Sequence, residues 1–321
     1  MTAPRSRPIT PDLRSWQRFP QLSMLRQDFD VRIVPYQLDR RGAYALEVDG
    51  RSPHSVERSL GTLESRNGVD GFIHAVGDAL LTAGELWIQV VIHDESSDQT
   101  PFQLIEVNGI SRGPAEALTQ ELPSEAERRD WLEHSATWEA PLQFDPESMV
   151  HATLPAEYPR ELVRRVACDL SEIPLLNSPD WAVESIDNRA PKVLYDLDEA
   201  RRTSRQYILQ VASPIGWPAR EMFFTTGRVM SEFYLILREL RFLHFLACIR
   251  ASAEAALVEV LTLVGQRIGM SASVIAHNVY TPEDMNRILD RFQAGDLPLL
   301  SMTDILLQQA EVAQQVERRV L

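Results

Sequence analysis

Between Arg228 and Val264, apolar residues recur at helical spacing on nearly every face, and no Gly or Pro interrupts them. Val229, Met230, Phe233, Leu237 and Leu240 form one stripe, and Ile236, Leu243, Leu246 and Ile249 form another. The spacing predicts a helix that would run about 55 Å if all 37 residues join it. Charges at Glu232, Arg238, Glu239, Arg241, Arg250, Glu254 and Glu259 argue against a membrane span. A helix that is apolar all round has to be buried all round. Either the chain covers it alone, or neighbouring copies cover it, and the second solution points toward assembly.

The remaining elements follow in order. Residues 1–20 are rich in Pro and Arg and read as an arm. Asp30–Tyr36 and Ala43–Val48 read as short strands around the turn Asp39–Gly42. Val69, Phe72, Ile73, Val76 and Leu80 mark an amphipathic helix that Gly84 closes. Leu86–Ile92 and Phe102–Val107 then read as an antiparallel hairpin across the polar turn Asp94–Thr100. The acidic stretch 114–148 reads as a solvated helix and loop with Trp131, Leu132 and Trp138 as anchors. A helix is expected from Pro155, with Leu162, Val163, Val166 and Leu170 on its apolar face, ending near Pro174. After the proline-rich stretch 174–192, Tyr195–Val211 reads as helix and carries Arg201, Arg202 and Arg205. Pro214-Ile215-Gly216-Trp217-Pro218 breaks it. Beyond the long helix, a short apolar stretch runs from Ala272 to Val279. Thr281-Pro282 then opens a helix with Met285, Ile288, Leu289 and Phe292, which Gly295 ends, and a last helix is expected near Thr303–Arg319. The fold class is α+β, predominantly helical.

Composition narrows the chemistry. The formal charge is −14, which argues against a free-standing nucleic-acid binder. Lys192 is the sole lysine, so the chain has no P-loop lysine and no kinase-type Val-Ala-Ile-Lys. Cys168 and Cys248 sit in apolar helical patterns and read as buried free thiols. None of the seven histidines forms His-Glu-x-x-His or another close ligand spacing. No nucleophile elbow, dinucleotide fingerprint or RNA-recognition pattern occurs. The expectation is no enzyme, no catalytic or metal residues and no cofactor. Trp217, between two prolines, either plugs a core at a turn or presents a rigid ring to a partner. With no signal-peptide h-region and no membrane run, the chain is expected in the cytoplasm or in a soluble particle.

Taken in order, the elements resemble a tailed-bacteriophage portal (connector) protein over about residues 65–310. Leu80-Leu81-Thr82-Ala83-Gly84-Glu85, leading into Leu86–Val90, resembles the helix-to-strand junction of that family. Pro155–Ile173 and Tyr195–Val211 around 174–192 resemble paired stem helices with a small clip. Tyr280–Glu283 through Ala294-Gly295-Asp296 to Asp304–Leu306 resembles the carboxy-terminal crown.

The resemblance implies an N-terminal arm at 1–20, an α/β wing at 21–150 and a stem at 151–213 with its clip insertion at 174–192. A tunnel-loop-like break at 214–227, a long wing helix at 228–270 and a crown at 271–321 complete it. It further implies a homo-oligomeric ring, commonly of twelve subunits, at one capsid vertex of the virion, assembled in the host cytoplasm. Double-stranded DNA would pass through during packaging and ejection, and terminase, capsid and head–tail adaptor proteins would be partners, with no membrane involved. An acidic channel would let phosphates slide with few sticky contacts. Pro214, Ile215, Gly216, Trp217 and Pro218 become the candidate channel loop, and Arg201, Arg202 and Arg205 candidate inter-subunit or phosphate contacts. Two alternatives stand beside it: a cytoplasmic α+β interaction or regulatory protein without catalysis, and an enzyme drawing its acid or base from residues 116–139.

Overall fold

The computed structural model describes residues 20–34, 43–63, 68–93, 100–107, 110–112, 118–120, 142–173, 206–218, 232–277 and 279–297. It is a mixture of helix and strand, an α+β chain. The chain divides into two compact units: a first formed mainly by 32–160 and 248–281, and a second formed mainly by 14–31, 161–247 and 282–321.

In the first unit, helix α2 (Pro53–Leu60) and helix α3 (Gly68–Ala83) lead into strand β2 (Glu85–Ile92). The expected helix and hairpin are both present. Gly84 makes the junction with φ +75°, and its N–H reaches Leu80 O at 3.0 Å. A Cβ here would lie 2.8 Å from Arg160 Cα, so a side chain is excluded by space as well as by backbone conformation. β2 pairs antiparallel with β3 (Phe102–Val107) on one side and with β7 (Met149–Thr153) on the other.

Strand alternation then sorts the side chains into two faces. Leu86, Ile88, Val90, Phe102, Leu104, Val150 and Ala152 are buried on the face that meets α2 and α3. Trp87, Val107 and Met149 occupy the opposite face and pack with Leu118 and Phe144. Those two come from a second antiparallel sheet of β4 (Ile110–Arg112), β5 (Leu118–Gln120) and β6 (Leu142–Phe144). The result is helices on sheet on sheet, with the central sheet buried on both sides. The outer edge of β3 is satisfied locally. Ser59 Oγ accepts from Phe102 N–H at 3.4 Å, and Thr62 Oγ1 accepts from Leu104 N–H at 2.8 Å.

Several expectations are corrected. Asp30–Arg32 is not strand but the end of α1 (Pro20–Arg32). Leu22, Leu25, Phe29 and Ile33 recur at steps of three and four and are all fully or almost fully buried, so helical periodicity outweighs the β-branched Val31, Ile33 and Val34. Strand β1 (Tyr44–Asp49) does form, but its partner is β8 (Ser271–Ala276), far along the chain. Within 114–148, the described ends are strands β5 and β6 rather than helix, because each alternates a buried apolar residue against the central sheet. α4 (Arg160–Glu172) starts after Pro159 rather than at Pro155. The residue before a proline disfavours helix, and Tyr158 N–H instead closes a turn on Pro155 O at 2.9 Å. Both cysteines are free thiols, but only Cys248 is buried, and Cys168 is half-buried.

The long helix is α5 (Glu232–Ile268), 37 residues. It ends at Ile268, inside the range Gly265–Gly269 that the sequence pattern marks for its end. All nine residues from Phe242 to Arg250 are buried within the single chain. The chain covers that stretch without a neighbouring copy. Tyr234 and Val258 on the same helix stay 58% and 55% exposed. Gly269 turns the chain into β8. In the second unit, α6 (Pro282–Gln293) begins at Pro282 as expected and buries Met285, Leu289 and Phe292, with Phe292 stacked on Phe233 at 4.9 Å between centroids. Its end is a Schellman motif: Gly295 N–H reaches Phe292 O at 3.1 Å and Asp296 N–H reaches Arg291 O at 2.9 Å. Residues 1–19 of the arm expected at 1–20, the turn 39–42, the centre of the acidic stretch at 121–141, the insertion 174–192 and the helix 303–319 lie outside the described residues, and Pro20 opens α1.

Candidate functional site

The candidate channel loop lies in the second unit. Helical residues 206–211 end at a 3-10 turn, Ser213–Ile215, and Gly216 takes φ +74°. A Cβ on Gly216 would sit 2.5 Å from Arg241 Cβ and 2.7 Å from Phe242 N, so the turn lies directly on α5. Pro214 is exposed, while Ile215, Gly216, Trp217 and Pro218 are buried. Trp217 is the largest fully buried side chain in the chain's described core. Its indole N–H donates to Asp28 Oδ2 at 2.7 Å. Arg238 donates to Trp217 O at 2.8 Å and to Leu209 O at 3.1 Å, which fastens both sides of the break to α5. Burial pulls the Arg238 guanidinium down to about 10, with Arg241 adding repulsion. In this chain the ring is therefore packed away, held by its own polar clamp, and not offered at a surface. Arg201, Arg202 and Arg205 lie outside the described residues, as do 219–227 of the expected break.

The first unit holds a buried polar cluster that sequence reading did not single out. Arg250, in the middle of the buried stretch of α5, donates to the carbonyls of Arg32, Ile33 and Tyr280, each at 3.3 Å. Its burial lowers the guanidinium pKa, and the facing Tyr44 and Glu254 work against that shift. Tyr44 OH donates to Glu254 Oε1 at 2.6 Å. Burial first, and that hydrogen bond second, push the phenol far above its ordinary value. The sequence carries one trace of this cluster: a lone Arg in an otherwise apolar helical stripe.

Asp70, at the start of α3, belongs to the same neighbourhood. Burial raises its pKa, although it accepts from the Tyr44 backbone N–H, and its Oδ1 is buried without a hydrogen-bond partner. A carboxyl raised in the folded state favours folding most where it is protonated, and that contribution is lost as pH rises through the folded pKa. Asp70→Asn keeps an acceptor for Tyr44 and removes the buried charge. It is expected to raise the urea midpoint at pH 7 and to lose that advantage in acid, below the ordinary aspartate pKa near 3.8. Equal midpoints at pH 7 would show that the charge is not held unfavourably.

A third polar group decorates β2 and β7. Glu85 accepts from Arg160 at 2.7 Å and lies 3.3 Å from His151 Nε2. His151 stacks flat on Trp87, 3.8 Å between centroids. This group ties the start of α4 to the sheet and shields the Trp87 ring.

Also in the first unit, Cys248 Sγ donates to Glu157 Oε1 at 3.3 Å. Among the described residues, no helix is long and apolar enough to cross a membrane. No family model matches the chain, and no curated protein matches it.

Proposed function

We propose that this chain is a portal subunit, a ring-forming protein through which double-stranded DNA enters and leaves a capsid, and which docks a terminase and then neck or tail proteins. The observation that supports it is the order of elements. An amphipathic helix turns at Gly84 into a β-hairpin, and a 37-residue helix turns at Gly269 through β8 into α6, which ends at Gly295. In this reading α3, β2 and β3 belong to the wing, α4 to the stem, α5 to the long wing helix and α6 to the crown. The charge of −14 per copy suits a channel lining that does not grip phosphate.

A second reading has its own observation. The burial of Phe242–Arg250 and of Trp217 inside one chain favours a self-sufficient α+β interaction or regulatory protein. Light scattering on the purified chain, with negative-stain images of the same peak, separates the two. Rings of about a dozen copies with a central hole are expected for a closed heterologous assembly. A monomer or dimer at every concentration, alone and with capsid scaffold added, would overturn the portal reading in favour of the second.

A further inference from the structure

Within the first unit, β8 forms a two-stranded antiparallel ribbon with β1, and among the described residues no strand lies along its other edge. The pairing fixes which backbone groups that edge presents. One step beyond the Tyr44–Ala276 pair of the register, His277 N–H reaches Ala43 O at 2.8 Å. Residues of an antiparallel ladder alternate between pairs that exchange hydrogen bonds and pairs that do not. Ser271, Ser273 and Ile275 therefore turn their N–H and C=O groups toward β1, and Ala272, Val274 and Ala276 turn theirs away from it. The same alternation turns Tyr44, Leu46 and Val48 to the far edge of β1, where the Asp70 carboxylate meets Tyr44 N–H. Exposed Glu47 and Asp49 guard β1 further, as the hydroxyls of Ser59 and Thr62 cap the edge of β3. β8 has none of these devices. It carries no charge and no proline from Gly269 to Ala276, its register with β1 runs without a bulge, and Ile275 is 39% exposed.

We propose that this edge docks a second copy of the chain, with β8 pairing antiparallel to the same strand of its partner about a two-fold axis at Val274. In that register Val274 stands opposite Val274 of the partner subunit, and Ala272 stands opposite Ala276 of the partner subunit. All of these residues belong to the outward set, so about six hydrogen bonds form, two for each such pair. A shift by one residue would set outward groups against groups already bonded to β1. On the opposite face Ile275 lies beside Ser273 of the partner subunit. Charge selects the occupant. At −14 per copy, two chains repel each other over most of their surfaces. Here two uncharged strands meet, and no like charges come to stand opposite one another. The strand is also its own complement: small Ala meets small Ala, and β-branched Val meets Val. A two-stranded ribbon is marginal by itself, and the pairing makes it four-stranded. The contact is isologous and does not depend on the portal reading. It joins two rings where copies close into rings, and two single chains where they do not.

The test is light scattering on the full chain across a concentration series, for the parent, Val274→Pro and Val274→Lys. Proline removes the outward N–H at the axis, leaves the bonds of Ser273 and Ile275 to β1, and is tolerated on edge strands. Lysine sets two like charges directly opposite each other. Each variant is expected to keep the far-ultraviolet circular dichroism of the parent and to show half its mass. Amide hydrogen exchange is the second readout. In the parent, the N–H groups of Ala272, Val274 and Ala276 should exchange as slowly as those of Ser273 and Ile275, and dilution should release them. In Val274→Lys, those of Ala272 and Ala276 should exchange about tenfold faster or more. An unchanged mass in a folded variant, or outward amides that exchange freely in the parent, would overturn the contact. If neither variant folds, exchange in the parent decides: protection by a second copy falls on dilution, whereas protection that survives dilution comes from the same chain and overturns the proposal. The portal reading rests on the number of copies in the parent and this contact on a factor of two, so the two stand or fall separately.

Discussion

Arg250→Met is expected to destabilise the chain by about 3–5 kcal/mol, the cost typical of removing one partner from a buried charged group. Methionine nearly matches the volume and keeps the apolar stem, so the loss reports hydrogen bonds rather than a cavity. Three backbone carbonyls, those of Arg32, Ile33 and Tyr280, lose this donor at once. Each buried acceptor left without a partner costs about 1–3 kcal/mol. Glu254 also loses the cation that faces it. Lysine is a poor rescue, because one ammonium cannot reproduce the planar fork that reaches three carbonyls. Arg250→Lys should therefore recover only part of the loss. Urea unfolding followed by tryptophan fluorescence gives the midpoint and slope. A change below about 1 kcal/mol in Arg250→Met would mean that water satisfies those carbonyls and that the clamp is incidental.

Trp217→Ala should cost a similar amount, about 3–5 kcal/mol, the range for large-to-small changes at a buried aromatic. The ring is fully enclosed, and its N–H donates to Asp28 at 2.7 Å. Trp217→Phe divides the effect. It keeps most of the apolar burial and removes the indole donor, so about 1–3 kcal/mol is expected, the share of a hydrogen bond to a charged group. This pair of variants also bears on the channel-loop assignment. A ring presented in a channel would be replaceable at nearly no cost to the isolated chain. A steep loss in Trp217→Ala with an intermediate loss in Trp217→Phe identifies a core plug. A loss under about 0.5 kcal/mol, the size typical of surface substitutions, would return the segment to the surface.

The two variants probe two different solutions to one problem. A 37-residue helix with apolar residues on every face cannot be covered by apolar neighbours alone, because the segments that cover it bring backbone carbonyls. Arg250 and Arg238 supply donors to five such carbonyls from within the helix itself. Arginine suits this task because its fork offers several donors on a long apolar stem. What looked in the sequence like charges interrupting an apolar stripe are, at these two positions, the groups that let the stripe be buried.

Local pattern carried much of the secondary structure. α3, Gly84, β2 and β3 were legible because period 3.6, a glycine at the reversal and period 2 follow one another without conflict. α5 and α6 were legible for the same reason, with Pro282 and Gly295 marking the ends of α6. The failures have local causes too. The β-branched Val31, Ile33 and Val34 imitate a strand at the end of α1. β5, β6 and β7 are three to five residues long, too short for alternation to stand out among acidic neighbours.

By itself, then, the sequence determined where the long helix, the α3–β2–β3 unit and the final α6 turn would lie, because propensity, periodicity and chain-reversing glycines act over a few residues. Only the tertiary structure decided what those elements do to one another. β1 finds β8 instead of a nearby strand, and Trp217 turns inward onto Asp28, 189 residues away. Arg250 meets carbonyls 218, 217 and 30 residues away, and Glu157 reaches a thiol 91 residues away. Burial and pairing of polar groups depend on which distant segments arrive together, and no local spacing encodes that meeting.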